Sequence, residues 1–82
     1  MTTYTIMTNK NEAEQIFNEN KMFVLRTDNV RYVVGNAVNF IVMDSQLRVE
    51  HPISRNKYII SFVERGDPIR DGIVLIGLKR IA

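Results

Sequence analysis

Apolar and polar residues alternate along most of this chain, and one segment departs from that pattern. In AVNFIVMD, 37–44, Val38, Phe40 and Val42 fall on one face and Asn39, Ile41 and Met43 on the other. That period of two predicts a strand. The same reading applies to NKYIISFVER, 56–65, where Tyr58, Ile60 and Phe62 alternate with Ile59, Ser61 and Val63. MFVLRT, 22–27, and IVLIGLKRI, 73–81, are rich in β-formers and predict two more strands, with Gly77 marking a bulge or a close backbone approach. MTTYTIMT, 1–8, alternates loosely, with Tyr4, Ile6 and Thr8 on one side, and predicts a short strand.

The departure is NKNEAEQIFNEN, 9–20. Ala13, Ile16 and Phe17 sit at i, i+3 and i+4, one narrow apolar stripe of a helix. Asn9 or Asn11 suits the cap, and Glu12 and Glu14 lie in the first turn, where the helix dipole favours negative charge. A helix of two to three turns does not hold alone and must dock on a sheet. Turn chemistry fills the gaps: Asp28–Asn29, Gly35, Ser45–Gln46 and the loop GDPIRDG. LRVEHPI, 47–53, reads as an edge piece, because Pro52 has no N–H for a central ladder.

One helix near the N-terminus followed by four or five strands is an α+β pattern. Strands apolar on both faces are best buried by closing the sheet into a small barrel. An open antiparallel sheet with the helix on one face is the alternative. Eighty-two residues make one domain, 1–82, and a chain this short buries only roughly 60% of its unfolded surface. No segment is apolar over the length of a membrane span, and the N-terminus lacks a secretory signal pattern, so a cytoplasmic protein without a membrane partner is expected.

The absence of cysteine excludes thiol nucleophiles and zinc–thiolate sites, and a single histidine, His51, builds no His-rich metal site. No metal and no cofactor are expected. His51, in the polar stretch VEHPIS, reads as a surface residue. The acid pairs Glu12/Glu14 and Asp67/Asp71 are accounted for by a helix start and a turn loop. Lys21 has two readings: a base or nucleophile beside Met22 and Phe23, or a lysine complementing the helix dipole. The net charge of +2 is compatible with nucleic acid without requiring it. Arg26, Arg31, Arg48, Arg55 and Lys57 interleave with Tyr32 and Tyr58. Guanidinium forks match phosphates and aromatic faces stack bases, so these residues form either an RNA platform or an ordinary solvated strand surface.

The order of helix, NKMFVLR, polar loop, YVVGNAVNFIVMD, long strand and GIVLIGLK resembles a small bacterial and phage group of PUA-like domains of unknown function, related to the ASCH domains. The resemblance covers about residues 10 to 80. Lys21, Phe23 and Arg26 fall on a Gly-Lys-Lys-x-Phe-Glu-apolar-Arg strand motif. Tyr32, Val34 and Gly35 fall on an aromatic-x-Val-Gly-Asp turn, and Gly72, Val74, Gly77, Leu78 and Lys79 on the closing strand. Glu19 stands at the motif's glycine, Val24 at its glutamate, Asn36 at its aspartate, and Arg31 one place late, with Val30 before it.

The resemblance implies a PUA-like, ASCH-related antiparallel or mixed barrel of about five strands, binding RNA or a nucleotide derivative between helix and barrel. In that reading Lys21 and Arg26 contact phosphate, Arg31 closes over it and Tyr32 stacks. Some ASCH relatives are amidohydrolases with a Lys-Thr-Glu arrangement. The corresponding alternative here is a hydrolase of modified nucleosides with Lys21 as base and Glu64 or Asp71 as acid. Met22 and Val24, where a threonine and an acid would serve, favour binding over catalysis, so no catalytic residue is assigned. A third reading is a phage or mobile-element accessory protein pairing its LRVEHPI edge with a protein partner.

Overall fold

The first strand forms as β1, Thr3–Thr8, with Ile6 and Thr8 buried on its inner face. The protein is described here by a computed structural model covering residues 2–82; Met1, included in the expected strand, lies outside the described residues. Helix α1 follows over Lys10–Phe17. Of the two possible caps, Asn9 is used: its side-chain oxygen accepts from the backbone N–H of Glu12 at 2.8 Å. Ala13 and Ile16 are fully buried and Phe17 packs beside them, so the stripe read from the sequence is the docking face.

The helix ends in a Schellman motif. Glu19 N–H donates to Ile16 O and Asn20 N–H to Gln15 O, with Glu19 held at φ 61°. That left-handed position is one that glycine fills without steric cost. Glu19→Gly is expected to stabilise the domain by about 1 kcal/mol, read as a higher urea midpoint at unchanged slope.

The remaining strands are β2, Phe23–Thr27; β3, Ala37–Asp44; β4, Leu47–Val49; β5, Tyr58–Glu64; and β6, Ile73–Arg80. They form a six-stranded mixed sheet in the order β1-β3-β5-β6-β2, with β4 hydrogen-bonded to β3 off this path. β1 pairs with β3 in parallel, and all other pairs are antiparallel. β3 meets β5 only through Ala37 and Val38; further along, its pairing passes to β4. The core lies on one face of this curled sheet, where Val38, Phe40, Ile60 and Ile76 meet the helix residue Ile16 and Ile53 of the 3-10 turn Pro52–Arg55.

The architecture is α+β, and the sheet is not closed into a barrel. Its end strands β1 and β2 share no backbone ladder. A side chain spans the gap instead: Arg26 on β2 donates to Met7 O on β1 at 2.9 Å. The open-sheet alternative is nearer to this arrangement, except that β1 joins in parallel.

The alternation expected along β5 breaks at a bulge between Ile60 and Phe62. Beyond it the faces exchange: Phe62 is exposed and Val63 packs on the core. Phe62 pairs with Gly77, and its ring lies where a Cβ on Gly77 would have to sit. The close approach marked by Gly77 is therefore that of an aromatic ring, and the irregularity lies in the neighbouring strand. His51 also differs from its expected surface role. Its side chain is only 9% exposed, its Nδ1 accepts from Ile53 N–H, and its Nε2 meets Glu14 Oε1 at 2.9 Å. It ties the 3-10 turn to α1, with its ring edge against Phe17.

Candidate functional site

Where β1 runs into α1, Thr8 is the last inward-facing residue of the strand and Glu12 stands in the first helical turn. Asn9 caps the helix, so the chain turns sharply and the Thr8 hydroxyl donates to Glu12 Oε1 at 2.6 Å. β2 comes alongside from the far end of the sheet. Its Arg26 donates to the same oxygen at 2.6 Å, and Lys21, just before β2, donates to Glu12 Oε2 at 3.0 Å. Three elements thus converge on one carboxylate whose side chain is 16% exposed.

Burial alone pushes the Glu12 carboxyl upward. The hydrogen bonds from Arg26, Thr8 and Lys21, with the charge of Arg26, more than offset that and hold it at about 2 instead of 4.5. Glu12 is therefore an ionised acceptor throughout the neutral range. Arg26 uses one N–H on its own Leu25 O and others on Met7 O and Glu12. A guanidinium carries five N–H donors, so about two remain unspent.

Arg26, Glu12 and Thr8 form the polar side of an open cleft of about 690 Å³, and Met7 and Met43 its apolar side. That is within the usual size of small-molecule sites. Ser45 and Gln46, from the β3–β4 turn, and Asn9 complete the rim. Lys10 and Asp44, each next in sequence to lining residues, form an exposed ion pair at 3.6 Å. Arg26, Lys21 and Lys10 against Glu12 and Asp44 leave this corner one positive charge in excess.

Of the four residues expected to bind ligand, Lys21 and Arg26 are brought together and Arg31 and Tyr32 are not. Arg26 faces the cleft. Lys21 stands behind Glu12, with its ammonium 5.2 Å above the Phe23 ring. Its ammonium reaches back to the first turn of α1, while its backbone N–H donates to Gln15 O at the helix end at 3.2 Å. Arg31 and Tyr32 are stationed by Tyr4, whose hydroxyl donates to Arg31 O at 2.7 Å and whose ring lies 5.0 Å from that of Tyr32. Tyr4 is four residues before Thr8 on β1, so the two groups are roughly 13 Å apart. Tyr58 is wholly buried and offers no stacking face.

The other expected roles also find different places. Glu64 is exposed on β5 opposite Leu75, and Asp71 lies in the β5–β6 loop; the acid that meets Lys21 is Glu12. The LRVEHPI edge contributes only the three-residue strand β4 before the 3-10 turn, a short template for a partner strand. Sequence reasoning assigned no ligand role to Thr8, Asn9, Glu12, Met7 or Met43. The one available signal was Thr8, a polar residue closing an inward row of Tyr4 and Ile6.

No helix among the described residues is long and apolar enough to cross a membrane. Among the same residues no group of three or more acidic or histidine side chains is placed to hold a metal ion. No protein-family model matches the chain, and no curated protein is significantly similar to it.

Proposed function

We propose that this is a PUA-like, ASCH-related cytoplasmic domain that binds a nucleotide-like ligand or RNA in the cleft beside Arg26. The observation that carries the reading is a guanidinium with unspent N–H donors on the polar side of a ligand-sized cleft whose surroundings carry one excess positive charge. Glu12 orients that fork and Lys21 steadies Glu12 from behind, so Arg26 is the direct phosphate contact and Lys21 a positioning residue. The left-handed Glu19 supports the resemblance, because it occupies the position where the related motif carries glycine.

A titration of the ¹⁵N-labelled protein at low salt tests the reading. Nucleoside monophosphates and a mixed RNA oligomer are expected to shift the amides of Thr8, Asn9 and Ser45. Raising salt from about 50 to 200 mM should weaken binding roughly threefold per phosphate engaged. Unmoved amides with both ligands at millimolar concentration would refute it.

One observation favours a second reading, amide hydrolysis of a modified nucleoside. Thr8, Glu12 and Lys21 lie in one hydrogen-bonded set, the residue types of the Lys-Thr-Glu arrangement that the resemblance implies. A carboxylate held at about 2 is a weak proton acceptor, and the Lys21 ammonium is already donating to it, so binding is the stronger reading. Release of the acyl group from an N-acylated cytidine, lost in Lys21→Ala, would reverse that preference.

A further inference from the structure

The apolar side of the cleft consists of two methionines, and their placement bears on what the cleft holds. Met7 is 65% exposed on β1, and its cross-strand neighbour on β3 is Ile41. Met43 lies two residues further along β3 on the same outer face, half-buried. The largely exposed Met7 thioether adds little to the core, and both methionines line the same cleft as Arg26. Thioethers are unbranched and polarisable, and they make favourable contacts with aromatic rings. On the rim, the Asn9 side-chain oxygen is spent on the helix cap, and neither its amide N–H groups nor the Gln46 amide has a hydrogen-bond partner among the described residues. Gln46 keeps both an amide donor and an acceptor and can pair with the mixed edge of a nucleobase, while Asn9 offers N–H donors alone.

We propose that Met7 and Met43 form the base-recognition wall of the cleft, stacking their thioethers on the ring of a nucleoside phosphate whose phosphate meets Arg26. This rests on the binding function proposed above and adds the part of the ligand that determines preference. A ligand lacking an aromatic base satisfies Arg26 and leaves the methionine wall wet. A ligand with one covers that wall, and two sulfur–ring contacts correspond to about a tenfold preference.

Adenosine 5′-monophosphate and ribose 5-phosphate carry the same phosphate and sugar, and only the first has a base. With methionine methyls labelled by ¹³C, adenosine 5′-monophosphate is expected to bind about tenfold more tightly and to move the Met7 and Met43 methyl signals upfield through the ring current. Ribose 5-phosphate should leave both methyls in place. Met7→Ser together with Met43→Ser should bring the two affinities to within about twofold of each other; Met7→Ser alone, at an exposed position, should reduce the preference and covers the case in which the double variant folds poorly. A single-stranded RNA heptamer that moves the same methyls more strongly than the mononucleotide identifies a strand as the source of the base. Equal affinities with unmoved methyls overturn the base wall and leave the anion site standing. If neither phosphate binds, both proposals fall.

Discussion

Arg26→Met is expected to lower the unfolding free energy by about 2–4 kcal/mol, a large share of what so small a domain has. The side chain is the clasp of an incompletely closed sheet. It bonds its own strand at Leu25 O, the opposite end strand at Met7 O and the helix at Glu12. Methionine keeps most of the stem's packing and removes all three bonds. Glu12, 16% exposed, then retains only Lys21 and Thr8 as partners. Fully exposed ion pairs contribute up to about 1 kcal/mol, and breaking fully buried ones costs about 3–5 kcal/mol. The Arg26 side chain is 25% exposed, which places the cost between these limits. Arg26→Lys separates charge from geometry. An ammonium can pair with Glu12 but cannot hold the same fork across β1 and α1, so it should recover only part of the loss. Urea unfolding of the three proteins measures this. A methionine variant within about 0.5 kcal/mol of the parent would mean that the clasp is screened by solvent and that packing alone keeps β1 and β2 together.

The parts of this molecule that are local in sequence were legible before the structure. β3 occupies Ala37–Asp44, the segment its alternation predicted, and Val38, Phe40 and Val42 are buried together. The helical stripe, the Asn9 cap and the Ser45–Gln46 turn also depend on neighbours within a few residues. The bulge in β5 was not legible, because an extra residue leaves no trace in an evenly apolar run. Only Gly77, on the next strand, hinted at it. Non-local chemistry was the least visible. Glu12 reads as an ordinary first-turn acid until Arg26, fourteen residues away, is brought to it by the return of β2. The same limitation affected Tyr32 and Tyr58: their sequence spacing suggested a stacking surface, but Tyr32 lies in the β2–β3 loop against Tyr4 and Tyr58 on β5 is buried in the core. Lys21 and Arg26 were singled out together in the sequence, and both side chains meet Glu12. The carboxylate's place between them was not legible, and it engages Lys21 while Arg26 also lines the cleft.

Acid should weaken the fold through the same carboxylate, in a defined window. The Glu12 carboxyl titrates at about 2 in the folded protein and at 4.5 when unconstrained, so the folded form binds its proton more weakly. A depressed folded value contributes stability that is fully present above pH 4.5, declines as the pH falls toward about 2, and is gone below that. The full shift corresponds to about 3 kcal/mol; with solvent reaching part of the cluster, about 2 kcal/mol is the expected loss. Glu12→Gln removes the titrating group while leaving an acceptor for Arg26 and Thr8. Its stability should therefore lie below the parent's at neutral pH, and the two should converge toward about pH 2. Urea midpoints collected at half-unit steps across the window give both curves. Parallel curves would place the acid sensitivity elsewhere and remove the case for Glu12 as the keystone of the site. Convergence would show that Arg26 and Lys21 are held by a charge that never switches off in the neutral range. Under the binding function proposed above, the Arg26 guanidinium would then be held in one orientation across the neutral range.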